Sequence, residues 1–491
     1  MILRALPCLI LAAATLRADV ACPPVFGDHM VLQRDRAVPV WGTAAPGEGV
    51  TVEFGGQAKA ATADAAGRWR IDLDPLAASA EPRTLTVKGA NALTFSDVLV
   101  GEVWFCSGQS NMEKPLGARR GQKPTDDFEA ELTRADCPPL RLFQGLHALK
   151  PKPTDVTLVW LPCSAEALTK MEFSAAAYYF GRELVRELGV PVGLIHSSFG
   201  GTRIEAWMPP EAFASDPELR GLEKIKYESY VPGVQATELY QTRVAPFVPF
   251  ALRGFLWYQG EANVIDAEHM TYARKMRALI AGWRAAWGQS DAPFYFAQLA
   301  PFTYSHIKTW TKQLTPVALP ALREAQVAAL DVPRTGLIVT TDLAGNGRDI
   351  HPTNKRDVGL RFARLALAET YGRTDIAAQA PRIKSARHVG QGTVEVVLEH
   401  AEGLHAADNA PLTGFALAGE DRAFQPAQAK IVDGKVLVTC PAVPNPFALR
   451  FAWDESAMPN LVNAAGLPAL PYRSDSWPLE LNVPKPPAPA K

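Results

Sequence analysis

Residues Asp97–Glu113 read DVLVGEVWFCSGQSNME, an apolar run that stops on small and polar residues. A strand covered on both faces is nearly continuous in apolar residues, and Val98–Cys106 fits that pattern. The stop at Ser107-Gly108-Gln109 leaves Ser110 just past the strand end. Taken alone, Ser110 reads first as the cap of a short helix beginning at NMEK and only second as a nucleophile. Its surroundings decide between the two.

Working outward, segments of strand and helix character alternate. SAAAYYFGRELVRELG has helical periodicity and ends at Gly189, while VPVGLIHSSFGG is a strand followed by a glycine loop. LRGFLWYQGEAN is strand and polar loop, EHMTYARKMRALIAGWRAAWG is helix, and APFYFAQLAPF is strand. PALREAQVAAL, TGLIVTTDL and NKRDVGLRFARLALAETYG continue as helix, strand, helix. Such alternation predicts an α/β fold with a parallel sheet covered on both faces. Residues 19–98 and 379–482 instead carry short Val-, Thr- and aromatic-rich runs punctuated by Gly and Pro. These predict antiparallel β domains flanking an α/β domain at 99–378. Residues 483–491 are a Pro-rich tail.

Lys and Arg total 50 against 51 Asp and Glu, so no strongly basic face argues for nucleic acid, and a neutral substrate is accommodated. Arg4 followed by an apolar segment from Ala5 to Leu16 and a small residue at Ala18 predicts a signal peptide over 1–18. The expectation is an exported protein, periplasmic or extracellular, with no membrane span. The six cysteines lack the spacing of a zinc site.

Four polar clusters each follow a predicted strand: SGQSNM (107–112), SSFGGTRIEAW (197–207), WYQGEAN (257–263) and GRDIHPTNK (347–355). Strand carboxyl ends lie on one edge of a parallel sheet, so these clusters are expected to converge. A serine hydroxyl needs a base, and His351 is the candidate. Asp349 would orient its imidazole. Gly200 and Gly201 let backbone approach a ligand. The Gly201 and Ser110 N–H groups, with the Asn263 amide, would form an oxyanion hole. Gln109, Asn111, Arg203 and Glu205 are candidates for contacting substrate or positioning the nucleophile. Trp207 and Trp257 would either stack on a sugar or pack in the core, and Lys355 would close the first turn of the last helix. Read singly, Ser110 and His351 are caps, Gly200 and Gly201 a turn, and Asn263 a loop residue. Their complementary roles at one sheet edge favour the catalytic reading.

Ser110, Gly201, Asn263 and His351, in this order and context, resemble the four blocks of the SGNH hydrolase superfamily. The strings VWFCSGQSNME, GGTRIEAWMP, WYQGEAN and DIHPTNKRDVGLRFARLAL are similar to the sialate O-acetylesterase family of carbohydrate esterases. VFGDHMVLQRDRAVPVWGTAAPGE and PNLVNAAGLPALPYRSDSW extend the likeness to both flanks. The resemblance implies a three-layer α/β/α core of SGNH-hydrolase type and hydrolysis of acetyl esters on an acetylated carbohydrate, without metal or organic cofactor. Ser110 would form the acyl-enzyme and His351 would act as base, then acid. The superfamily usually places the acid three residues before the histidine, where this sequence has Arg348. Asp349 and Glu261 both remain candidates. The competing functions are an esterase, lipase or thioesterase for non-sugar esters on the same scaffold, and a non-catalytic glycan-binding protein.

Overall fold

The computed structural model describes residues 19–119, 121–146, 158–225, 231, 233–307 and 313–483. The expected signal segment, 1–18, and nearly all of the Pro-rich tail lie outside the described residues.

Seven strands form the central sheet: β1 (Ala92–Gly108), β2 (Cys137–Gln144), β3 (Trp160–Cys163), β4 (Val192–Ser198), β5 (Gly254–Tyr258), β6 (Phe294–Ala297) and β7 (Thr335–Ile338). Their spatial order is β7-β6-β5-β1-β4-β2-β3. All neighbours are parallel except β2 and β3, so the sheet is mixed, with one antiparallel edge strand. Four longer helices cover it: α1 (Ala175–Leu188), α2 (Met270–Trp287), α3 (Ala318–Ala328) and α4 (Lys355–Glu369). Successive residues of β1 point to opposite faces. Trp104 packs edge-to-face on Phe180 of α1, whereas Phe105 meets Trp283 and Trp287 of α2. Helices therefore cover both faces, and β1 is buried throughout Val98–Gly108.

The first half of β1 belongs to a different environment. Its residues 92–97 alternate between exposed and half-buried and pair antiparallel with Ser79–Lys88. Gly49–Phe54 and Gln57–Thr62 extend that pairing, and Val31–Gln33 lies parallel to Leu99–Gly101. The boundary expected at 98/99 thus runs through one unbroken strand, because a 17-residue segment is long enough to take different partners at its two ends. Residues 382–473 form three further antiparallel sheets, two of four strands and one of two, around a second apolar core that includes Val396, Leu417, Val438 and Phe451.

The chain leaves β1 for β2 and returns to β4, beside β1, before crossing to β5 on the other flank of β1. Such a reversal opens a crevice at the carboxyl ends of the strands. All four polar clusters follow strands that end there.

Candidate active site

Two glycines shape the ground around Ser110. Gly108 has φ of +143°, and a Cβ there would lie 2.2 Å from the Tyr258 carbonyl oxygen, so only glycine lets β1 end against β5. Gly200 donates its N–H to Glu113 Oε2 at 2.8 Å. A Cβ on Gly200 would stand 3.1 Å from the Ser110 Cβ. Ser110 begins the one-turn helix Ser110–Glu113, in which Asn111, Met112 and Glu113 are buried while Ser110 keeps partial exposure.

Ser110 Oγ lies 2.9 Å from His351 Nε2, within hydrogen-bond reach. Burial pushes the His351 pKa down to about 4, helped by the Lys355 and Lys114 cations and opposed by Asp349. Asp349 Oδ1 lies 4.0 Å from His351 Nδ1, beyond hydrogen-bond reach, and accepts the His351 backbone N–H at 2.9 Å. Glu261 is buried elsewhere in the site, where its Oε1 accepts from Asn111 Nδ2. Burial raises its pKa. Of the two candidate acids, Asp349 stands beside the imidazole and Glu261 beside Asn111.

Gly201 adopts a left-handed φ of +70° in the turn after β4. Among the described residues, neither its N–H nor that of Ser110 donates to a protein acceptor. Asn263 departs from the expected role. Its Nδ2 donates to Glu205 Oε2 and Glu268 Oε2, both at 3.2 Å, and its Oδ1 accepts from Ile204 N–H and Gln259 Nε2. Both amide hydrogens are therefore committed to carboxylates. The cause is a buried charge network: Arg203 and Lys275 both pair with Glu205 and Glu268, and Arg203 also pairs with Asp266. Burial would raise the Glu205 pKa, but the two cations hold it below the usual carboxylate range. Arg203 is accordingly spent within this network. Gln109 offers what Asn263 does not. Its Oε1 is fixed by Gln259 Nε2, Gly260 N–H and Ala262 N–H at 3.2, 3.3 and 3.4 Å, while its Nε2 has no acceptor among the described residues.

Trp207 and Trp257 are buried and pack edge-to-face at 5.8 Å, as core residues rather than a sugar platform. Asn111 donates to the Ile350 carbonyl at 2.9 Å and accepts from Lys355 Nζ at 2.7 Å. Sequence reasoning missed Glu113, Gln259, Glu268 and Lys275. Only Glu113 had a usable signal, its i+3 spacing from Ser110 on one helical turn.

The site as described can present a hydroxyl, a neutral imidazole and unspent N–H donors to one carbonyl. Residues 100–368 match the family described as carbohydrate esterase, sialic acid-specific acetylesterase. Human sialate O-acetylesterase is 30% identical over 393 residues, covering 72% of each chain. The mouse protein of the same name is 29% identical over 411 residues, covering 72% of this chain and 74% of its own. The crystal structure of a carbohydrate acetylesterase from Xanthomonas citri superposes with a TM-score of 0.81 at 35% identity, over 94% of this chain and 100% of that one. The family match begins inside β1, ahead of Ser110, and ends inside α4, beyond His351, so it contains all four clusters; the chain belongs to the sialic acid-specific acetylesterase family of carbohydrate esterases.

Proposed function

We propose that the protein is an exported carbohydrate O-acetylesterase of SGNH-hydrolase type that works through an acyl-enzyme on Ser110. The observation that carries this reading is the 2.9 Å contact between Ser110 Oγ and His351 Nε2 at the carboxyl edge of the sheet. Ser110 attacks the acetyl carbonyl while His351 Nε2 takes its proton. The Ser110 and Gly201 N–H groups hold the developing oxyanion, and the Gln109 amide takes the place assigned on sequence to Asn263. His351 then returns the proton to the departing sugar oxygen. Water, deprotonated by the same ring, releases acetate and restores the hydroxyl. Asp349 steadies the imidazolium, which requires its carboxylate to close on Nδ1 from 4.0 Å.

The acetyl carrier is a sialic acid or a plant polysaccharide. Acetate release from a panel of both, with Ser110→Ala as control, tests the proposal. Release from one class, abolished in the variant, supports it. Equal release by the variant, or cleavage restricted to long-chain esters, overturns it. Glycan binding that survives in Ser110→Ala without any ester cleavage by the wild type would mark a binding protein.

A further inference from the structure

Behind the Ser110 turn, three buried side chains stand in line. Lys355 Nζ donates to Asn111 Oδ1 at 2.7 Å, and Asn111 Nδ2 donates to both Glu261 Oε1 and the Ile350 carbonyl. Exposure is 0% for Lys355, 1% for Asn111 and 3% for Glu261.

This is a poor way to gain stability. Lys355 is the first residue of α4, at the positive end of the helix dipole, where a cation is disfavoured. Burial pushes its pKa down to about 7, with Lys114 adding to the effect and Glu261, Asp349 and Asp126 opposing it. Glu261 is pushed in the opposite sense, and its Oε2 has no partner among the described residues. Replacing such buried charges by apolar groups is often neutral or stabilising.

As a way of fixing one carboxamide, the arrangement works well. Asn111 is gripped on its oxygen by a cation and on its nitrogen by a carboxylate, so its orientation is set. Its remaining hydrogen then ties Ile350 to the residue after Ser110. Ile350 immediately precedes His351. We propose that Lys355 and Glu261 are positioning residues that act through Asn111 to hold the His351 ring against the Ser110 hydroxyl. This proposal rests on the ester-hydrolase reading.

The charged groups facing His351 are Lys355, Lys114 and Asp349. Those facing Lys355 are Lys114, Glu261, Asp349 and Asp126, with the Tyr258 ring 5.5 Å from its ammonium. Removing the Lys355 charge therefore leaves His351 easier to protonate.

The test is a double-mutant cycle on the full chain with an aryl acetate, read as kcat and KM across pH. Lys355→Met should lower kcat at least about tenfold with KM within about twofold, the signature of lost transition-state geometry. Its acid limb should move up by about one pH unit. Glu261→Gln keeps an acceptor for Asn111 and should cost less, leaving the acid limb in place. The double variant should lose less than the product of the two single losses. An unmoved acid limb in Lys355→Met, or losses that simply multiply, would overturn the proposal. Should Lys355→Met fail to fold, Lys355→Gln, which retains a donor for Asn111 but no charge, is read by the shift of its acid limb alone. Ser110→Ala separates the two levels: acetate release by that variant sinks the esterase reading itself. An inactive Ser110→Ala with multiplicative losses sinks the positioning proposal alone.

Discussion

In the proposed mechanism His351 sets the pH range of the chemistry. Only the neutral ring accepts the Ser110 proton, and burial beside Lys355 and Lys114 lowers its pKa to about 4. Activity should therefore persist well below the ordinary histidine range near 6.5 and decline about tenfold per pH unit only below about pH 4. A kcat/KM profile of the free enzyme measures this directly, and an acid limb near 6.5 would contradict the buried, cation-flanked ring. The two carboxylates should behave differently. Asp349→Asn should cost on the order of a hundredfold or more in kcat, through loss of imidazolium support. Glu261→Gln should cost only severalfold, and the reverse ranking would make Glu261 the acid. Gln109→Ala should lower kcat by about a hundredfold or more if its Nε2 meets the oxyanion. Asn263→Ala should act first on stability, seen as a lower urea midpoint, because it strips Glu205 and Glu268 of a donor. At this scale the sequence displayed Ser110, Gly201 and His351, since each follows a strand end. The commitment of Asn263 was illegible. It depends on Lys275 and Glu268, which no motif connects to Ser110.

Elements carry the constraint that side chains alone would not. The Gly200 turn rests on the Ser110 turn so closely that an added methyl would meet the Ser110 Cβ at 3.1 Å. Gly200→Ala should thus displace Ser110, lowering kcat by about tenfold or more while the melting temperature shifts by only a few degrees. Parallel assays of hydrolysis and thermal unfolding check both halves, and a variant with full activity would show that the turn yields without cost. Strand and helix alternation was readable from residue 99 onward because helical and buried-strand periodicities differ. The double duty of β1 was not. Alternation in residues 92–97 and continuous burial in 98–108 describe one strand with two sets of partners, and only pairing reveals that they are continuous. The antiparallel edge strand β3 escaped for a related reason: at four residues, Trp160–Cys163, it is too short to show a period.

Across the whole molecule, the C-terminal β part is tied to the segment that leads to His351. The Glu455 carbonyl accepts Phe302 N–H at 3.1 Å, and its carboxylate accepts from Ser305 N–H and Oγ. Thr303 N–H in turn reaches the Gly347 carbonyl, two residues before Asp349. Elsewhere Arg473 pairs with Glu324 of α3, and Leu467 and Leu470 pack into the same apolar core as the central sheet. Cutting the chain after residue 378 would expose that apolar surface and leave Glu324 and Ser305 without these partners. Deleting residues 379–491 should therefore yield protein that is aggregated or cooperatively destabilised, not a working esterase with a lost appendage. A milder variant separates support from solubility. Glu455→Ala removes the carboxylate that holds Ser305, leaving the C-terminal core intact. It should lower kcat severalfold on a simple aryl acetate, which is too small to need a distant sugar contact. An unchanged kcat in Glu455→Ala, together with an active and soluble truncation, would mean that the catalytic sheet stands alone and the C-terminal part serves another purpose.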